Sequence, residues 1–106
     1  MVRSGTRARI VRADEIDWIA ADGVYARLHF GGTSALIRTP LHELEARLDS
    51  RMFVRIHRST IVNLERVREL REVDRGEFDL FLEDGTRLKL SRSRRAHLEA
   101  MLGQRL

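Results

Sequence analysis

The sequence contains no cysteine and no long apolar run. Without cysteine the chain can form no disulfide, bind no metal through thiolates and do no thiol chemistry, which fits a reducing compartment. The longest apolar runs cover only a few residues and the N-terminal segment has no hydrophobic signal region, so the sequence predicts neither a membrane span nor a secretory signal. We therefore expect a cytoplasmic protein, and its 106 residues predict one domain with a modest core.

The residue patterns of common enzymes and metal sites are also missing. The sequence has no GxSxG nucleophile elbow, no Walker phosphate-binding loop and no HExxH zinc helix. Its histidines do not have the spacing of metal ligands; they are His29, His42, His57 and His97. A His57 and Ser59 pair with a distant carboxylate is one enzyme alternative, although a two-residue separation is common and no oxyanion loop is visible. A small nuclease that depends on His57 is a separate alternative. We predict no enzyme activity, no cofactor and no metal.

Most of the chain has the two-residue period of short β-strands. From Val24 to Phe30 apolar residues alternate with a second face made of Tyr25, Arg27 and His29. Asp22-Gly23 and Asp84-Gly85 each predict a β-hairpin of the same chemistry, the first with a type I′ turn. Other strands are predicted at 9–12, 16–20, 34–38, 67–73 and 77–82, with a return through 88–90. The sequence therefore predicts a mainly β fold, a sandwich of short antiparallel strands.

Two short helices complete the predicted fold. The first is expected after Thr39 as the cap and Pro40 at the first position, with a buried stripe of Leu41, Leu44 and Leu48. The second is expected to begin after Ser91 as the cap and to end at Gly103, with Leu98, Met101 and Leu102 buried. Residues 1–8 are polar and basic and are expected to be a flexible segment or linker remnant, which leaves 9–106 as the domain.

The stretch from Phe53 to Leu64, FVRIHRSTIVNL, places cations inside a strand pattern. Val54 and Ile56 alternate with Arg55 and His57, which predicts one buried face and one basic face. Asn63 is expected to end the apolar run by hydrogen-bonding local backbone at a turn. Taken alone, the stretch is equally typical of a half-buried strand with a solvated face.

The charges are unevenly distributed along the chain. The net charge is only +4, but residues 87–95 hold five basic residues and no acid, while residues 69–86 hold seven acids and two arginines. This polarity predicts one face suited to a polyanion and another that repels it. Arg92, Arg94 and Arg95 lie in the first turn of the second helix, which is unfavourable in water and favourable beside a phosphate.

With these segments identified, the chain resembles the LytTR family, the DNA-binding domain of LytR/AlgR-type bacterial response regulators. The resemblance runs from about Arg9 to Leu102. It depends on the order and spacing of three blocks, which are IDWIAADGVY, FVRIHRSTIVNL and LEDGTRLKLSRSRR. It implies an elongated core of antiparallel sheets that binds duplex DNA through loops entering successive major grooves. The chain departs from the family pattern in two respects. Val24 stands where an asparagine is usual, and no phosphoacceptor receiver domain precedes the blocks.

The resemblance also implies which residues contact DNA. The family's reading positions fall at the hairpin around Tyr25, at the segment His57, Arg58 and Ser59, and at the junction Ser91, Arg92, Ser93 and Arg94. We expect Arg58, Arg92 and Arg94 to read bases or the groove floor. Arg27 shares the face of Tyr25, and we expect phosphate contacts from Arg55, Lys89 and Arg95.

These expectations give one leading function and one alternative from another class. The leading hypothesis is a sequence-specific duplex-DNA-binding domain of a bacterial transcription regulator. The alternative is a protein-interaction module that uses exposed sheet edges. A second copy on tandem DNA repeats is a further partner implied by the resemblance, and any upstream regulatory domain lies outside this chain.

Overall fold

The computed structural model describes residues 2–106 and contains ten strands and two α-helices in that range. The strands are β1 Val2–Ser4, β2 Arg7–Arg9, β3 Trp18–Asp22, β4 Tyr25–Phe30, β5 Thr33–Ile37, β6 Phe53–His57, β7 Thr60–Asn63, β8 Val67–Asp74, β9 Glu77–Leu82 and β10 Arg87–Leu90. The helices are α1 Leu41–Arg47 and α2 Arg92–Leu102, and single 3-10 turns occupy Ala13–Glu15 and Leu64–Arg66.

The strands form three antiparallel sheets. A five-stranded sheet has the order β5-β4-β3-β7-β6, a three-stranded sheet has the order β10-β9-β8, and β1 pairs with β2. Every pairing between these strands is antiparallel. The molecule measures 48 × 25 × 24 Å. The mainly β fold with antiparallel sheets and two helices is therefore confirmed.

The β6 and β7 part of the five-stranded sheet is covered on both faces, and the protein has two apolar clusters. On one face, Ile19, Leu28 and Ile61 pack in a cluster with Leu41 of α1. The other face carries β6 and β7 side chains into a second cluster with Leu80, Leu88 and Leu98 from the three-stranded sheet and α2. Because β6 and β7 have apolar neighbours on both faces, alternate residues of these strands are buried in opposite directions.

The first hairpin turns one residue later than the sequence predicts. Asp22 pairs with Tyr25, so the two loop residues are Gly23 and Val24. Gly23 has φ +61° and no residue other than glycine has positive φ in residues 2–106, which fits a type II′ turn rather than type I′. Valine at the second loop position disfavours the positive φ that type I′ needs. Val24 is 63% exposed instead of lying on the buried face of β4.

The second hairpin has a longer loop with different chemistry. The Leu82 N–H donates to the Thr86 carbonyl at 2.9 Å, so residues 83–86 form the loop between β9 and β10. Asp84 accepts a hydrogen bond of 2.9 Å from the Thr86 N–H, which is the local side-chain to backbone pattern of an Asx turn. The predicted hairpin is correct, but the expectation that both hairpins have turns of the same chemistry is wrong.

The N-terminal strands also differ from the prediction. The first residues pair as β1 and β2 with Gly5 at φ +61°, and Val2 is 7% exposed within the first apolar cluster. Residues 10–12 lie outside any strand, so the strand expected at 9–12 is wrong. The suggested boundary after residue 8 falls inside β2. An apolar side chain at position 2 explains why this polar segment packs against the domain.

Both helix starts lack the side-chain caps that the sequence suggests. Pro40, rather than Thr39, is the cap residue of α1, and its carbonyl accepts from the amides of Glu43 and Leu44 at 3.1 and 3.2 Å. Ser91 is the cap residue of α2, but its side chain caps no amide. Gly103 ends α2 at φ +70°, as predicted. Leu98 is buried but Leu102 is 43% exposed, so its predicted burial is wrong.

Asn63 has the structural role that the sequence predicts. The side chain is fully buried; its Nδ2 donates to the Ile16 carbonyl at 2.9 Å and its Oδ1 accepts from the Glu65 N–H at 3.0 Å. These two bonds cap the 3-10 turn after β7 and attach it to the segment before β3. No helix in residues 2–106 is both long and apolar enough to cross a membrane.

Candidate nucleic-acid interface

Three separate chain segments meet along one edge of the molecule. The Ala21 N–H donates to the Ser59 carbonyl at 2.8 Å, which places the first hairpin beside the turn between β6 and β7. On the other side of that turn, the Ser91 N–H donates to the Ile56 carbonyl at 2.8 Å. We call residues 22–25, 57–59 and 91–94 together the basic edge. Backbone hydrogen bonds therefore fix the order hairpin, turn, junction along this edge.

Arg55 stabilises the turn at the centre of the basic edge by hydrogen bonds to the backbone of that turn. The Arg55 Nε donates to the His57 carbonyl at 2.8 Å, and one terminal nitrogen donates to the Arg58 carbonyl. The other terminal nitrogen bonds Glu45 Oε1 at 3.1 Å. The Arg55 side chain is only 11% exposed, so the exposed basic face predicted for β6 is wrong at this position. It is covered because α1 packs beside the end of β6.

The turn itself is organised by His57 and Ser59. The Ser59 N–H donates to His57 Nδ1 at 3.1 Å, and the Ser59 hydroxyl lies 2.9 Å from the same nitrogen. Because Nδ1 accepts the amide hydrogen, the neutral imidazole carries its proton on Nε2. Ser59 Oγ also lies 3.3 Å from Thr60 Oγ1. The pairing register shifts between Arg55 and His57, which marks a bulge before the turn.

Arg58 occupies the tip of the turn and is exposed. Its guanidinium has no hydrogen bond or ion pair with any residue of the described range 2–106. The carbonyl of Arg58 is the group that Arg55 binds, so the backbone is fixed while the side chain is free to reach outward. This is the arrangement expected of a side chain that binds an external partner.

The junction before α2 contributes two arginines that already have acidic partners. Arg94 is 35% exposed and lies 3.8 Å from Glu45 Oε2. Arg92 is 67% exposed, lies 3.4 Å from Glu77 Oε1 and donates to the Arg75 carbonyl at 3.1 Å. The hydroxyls of the serines at 91 and 93 lie 3.3 Å apart. Both side chains keep part of their surface exposed, and the junction that carries them lies beside the turn of Arg58 through the hydrogen bond from Ser91 to Ile56.

The hairpin contributes an exposed tip and a paired arginine. Tyr25 is 41% exposed, and Val24 projects beside it at the turn. The Arg27 guanidinium bonds Asp22 Oδ2 at 3.1 and 3.2 Å and Ser34 Oγ at 3.0 Å. Arg27 is therefore held against the sheet behind the tip.

Farther along β4, His29 stacks on Trp18 with ring centroids 3.9 Å apart. Burial lowers the pKa of His29 below its ordinary 6.5, and the nearby Arg27 charge lowers it further. The carboxylates of Asp17 and Asp84 act in the opposite direction on that pKa. This end of the sheet lies away from the basic edge and carries acids rather than free cations.

Two other residues expected at phosphates lie in different settings. Lys89 is exposed on the outer face of the three-stranded sheet, opposite Asp79, which pairs with Arg87. Arg95 donates to the Leu106 carbonyl, lies 3.7 Å from Glu99 and stacks over the Phe78 ring at 5.0 Å. Lys89 is thus open to an external anion, whereas Arg95 is engaged within the protein.

The acidic segment 69–86 does not form one separate face. Glu77 pairs with Arg92 close to the basic edge, and Asp79 pairs with Arg87. Asp84 lies in a hollow with Asp17 and His29 at the opposite end of β4. The predicted division into one basic and one acidic face is therefore too simple. Acids lie among the cations of the three-stranded sheet and also beside the far end of β4 in the five-stranded sheet.

The sequence does not indicate that Asp22, Glu45 and Glu77 pair with arginines at or beside the basic edge. Asp22 was interpreted only as a turn residue, and Glu45 only as part of a packing helix. Glu45 directly follows Leu44 of the buried stripe, a spacing that places it at the side of α1 facing the sheet. That spacing is a usable signal for its orientation, but nothing in the sequence identifies Arg55 and Arg94 as its partners.

Known proteins match this chain in sequence and in fold. The family model described as LytTr DNA-binding domain matches residues 6–103. The positive alginate biosynthesis regulatory protein of Pseudomonas aeruginosa is 33% identical over 97 residues, which cover 90% of this chain and 39% of that protein. The heme-containing CO-sensing transcriptional regulator RcoM 2 of Paraburkholderia xenovorans is 35% identical over 101 residues, which cover 92% of this chain and 38% of that protein.

A solved structure has the same fold. The chain superposes on a LytTr DNA-binding domain from Bacillus cereus with a TM-score of 0.88 and 22% identity, over 96% of this chain and 94% of that one. At that identity the likeness establishes the shared fold. The chain spans about two fifths of the length of the two regulators that it matches in sequence.

Proposed function

This chain belongs to the LytTr DNA-binding domain family, and on that premise we propose that it binds duplex DNA sequence-specifically through the basic edge, as the DNA-binding part of a transcription regulator. The observation that carries the proposal is the pair of backbone hydrogen bonds from Ala21 to Ser59 and from Ser91 to Ile56. They hold three loops next to one another on the β framework, and two of these loops carry Arg58 and Arg94. Loops of this size fit a major groove, which is about 12 Å wide.

The roles of the basic residues follow from how each is held. Arg58 is free and exposed at the central turn, and we assign it the base-reading role, since a guanidinium can bond guanine O6 and N7 together. Arg92 and Arg94 are accessible at the junction, where amides of the first turn of α2 add donors for a backbone phosphate or a base edge. Lys89 is exposed on β10, the strand that leads into the junction, and we assign it a phosphate contact.

The residues that are already engaged are assigned supporting roles. Arg55 positions the backbone of the turn, and its buried guanidinium is too fully used to be available to a phosphate. The His57 and Ser59 side chains order the same turn, with His57 Nε2–H and the Ser59 hydroxyl as the polar groups that it can offer to a base. Tyr25 and Val24 form the tip that approaches the adjacent groove, with Arg27 bracing it.

Selection of bound sequences from a random duplex library at physiological salt tests this function. We expect enrichment of a shared motif and an affinity that falls steeply as salt rises, because phosphate contacts release counterions. A library with a long random region would also show whether two copies of the motif recur at a fixed spacing, as two protein molecules on tandem repeats require. Recovery of no common motif would overturn the proposal.

A plasmid assay with the same purified protein distinguishes DNA binding from DNA cleavage. Within residues 2–106 no cluster of acids and histidines is arranged to bind a metal ion. Incubation with supercoiled plasmid, with and without a chelator, should therefore leave the plasmid intact while a mobility shift shows binding. Nicking that disappears in a His57→Ala variant would assign a nuclease instead.

A further inference from the structure

A carboxylate beside the basic edge bridges Arg94 of that edge and Arg55, which supports its central turn. Glu45 on α1 bonds the Arg55 guanidinium through Oε1 at 3.1 Å and approaches Arg94 through Oε2 at 3.8 Å. The three side chains differ in exposure, with Arg55 at 11%, Arg94 at 35% and Glu45 at 42%. One acid thus joins the support of the central turn to the junction before α2.

The negative charge of Glu45 weakens the binding of a polyanion to the neighbouring surface. A negative charge beside the junction repels any phosphate that approaches, and it competes for the guanidinium of Arg94. The same carboxylate is the only acidic partner of Arg55 in residues 2–106. Arg55 uses its remaining donors on the carbonyls of residues 57 and 58, so the carboxylate fixes the orientation of the whole guanidinium.

We propose that Glu45 is a specificity-determining residue, which positions the turn through Arg55 and withholds Arg94 from DNA phosphates until a fitting sequence is bound. The inference rests on the proposed function and extends it to discrimination between sites. On a poorly matched duplex, Arg94 stays paired with Glu45 and contributes no phosphate contact. On a matched duplex, the contacts of Arg58 and the junction bring DNA close enough for Arg94 to exchange its carboxylate partner for a DNA group.

Replacement of Glu45 by glutamine tests the proposal, with Glu43→Gln as a matched control. Glu43 is two residues away on the same helix, is also exposed, and pairs with Arg47 at 3.7 Å instead of with an arginine of the basic edge. Both substitutions remove one negative charge from α1. Dissociation constants are measured for the selected duplex and for a scrambled duplex of equal length, across a range of salt concentrations.

The two variants should behave differently on the scrambled duplex. In Glu45→Gln the released Arg94 gains a phosphate contact, so binding to the scrambled duplex tightens and its salt slope steepens by about 0.9. The ratio of selected to scrambled affinity should fall about 5-fold, while Glu43→Gln leaves the ratio unchanged within about 2-fold. Equal ratios and equal slopes for the two variants would overturn the inference.

A measurement on the unaltered protein makes the test independent of how the variant folds. The 13C signal of the Glu45 carboxyl reports whether Arg94 remains beside it. Addition of the selected duplex should shift this signal, and addition of the scrambled duplex should leave it nearly unchanged. Equal shifts with both duplexes would contradict the inference, whereas absence of a preferred sequence in the selection would contradict the proposed function itself.

Discussion

The Ser91 amide nitrogen lies 2.8 Å from the Ile56 carbonyl oxygen, and this single hydrogen bond joins the two main sheets at the basic edge. Ile56 belongs to β6 at the border of the five-stranded sheet, and Ser91 follows the last strand of the three-stranded sheet. Their contact places the start of α2 directly beside the turn that carries Arg58. The arrangement of the three loops to which we assign DNA binding is thus a consequence of how the sheets meet, rather than of any one loop.

Removal of the Arg58 side chain should weaken and broaden DNA binding. Arg58→Ala is expected to cost about 1–3 kcal/mol of binding free energy on the selected duplex and to relax the base preference at one position of the motif. Fluorescence anisotropy and a repeat of the selection measure these effects.

Arg68→Ala is the matched control for that substitution. Arg68 is exposed and lies near Leu102, at the opposite end of α2 from the junction. It should change the affinity by less than about 0.5 kcal/mol and leave the motif unaltered, since it lies far from the basic edge. An Arg58→Ala variant with full affinity and full preference would show that the central turn does not read bases.

The salt dependence of binding distinguishes a positioning arginine from a phosphate contact. Arg55→Gln should lower affinity because the turn loses its support, yet the slope of log K against log salt should stay the same. Lys89→Gln should reduce that slope by about 0.9, the value for one lost phosphate contact. Titrations at four or more salt concentrations give both slopes. A reduced slope for Arg55→Gln would return Arg55 to the phosphate-contacting role that the sequence suggested.

Loss of the Asn63 side chain should destabilise the fold. Asn63→Ala leaves the Ile16 carbonyl and the Glu65 amide without their partner in a fully buried site, at an expected cost of about 2–4 kcal/mol in the free energy of unfolding. Gln104→Ala, at an exposed position, should change it by less than about 0.5 kcal/mol. Urea unfolding measures both, and equal values for the two variants would refute the structural role of Asn63.

His29 should make the stability of the protein depend on pH. Its pKa in the folded state is lowered below 6.5 by burial and by Arg27, so the unfolded chain takes up the proton first as pH falls. The contribution of neutral His29 to stability is complete above about pH 6.5 and is lost progressively as pH falls from there toward the lower folded pKa.

Comparison of urea unfolding at about pH 7.5 and about pH 5.5 measures this effect. His29→Phe, which retains a ring to stack on Trp18, should lose less stability between these pH values than the unaltered protein does. His97→Gln, at an exposed position of α2, should retain the full dependence. An unchanged pH dependence in His29→Phe would show that another group is responsible.

The sequence predicted what depends on short-range patterns and missed what depends on distant partners. Alternation correctly placed most strands, and the polar Asn63 after an apolar run correctly indicated a turn held by a hydrogen bond to local backbone. The type of the first turn was wrong because Val24, one residue beyond the recognised pair, determines it. The burial of Arg55 could not be predicted, since it depends on Glu45, ten residues away on α1, and on carbonyls at the far end of its own turn.

Mapping of backbone amide signals during titration with the selected duplex tests most directly that the basic edge is the DNA-binding surface. We predict that the largest changes in chemical shift occur at residues 22–25, 57–59 and 91–94, with little change around Asp84 at the far end of the sheet. Changes concentrated at that far end or along β8, with the three loops unaffected, would contradict the assignment.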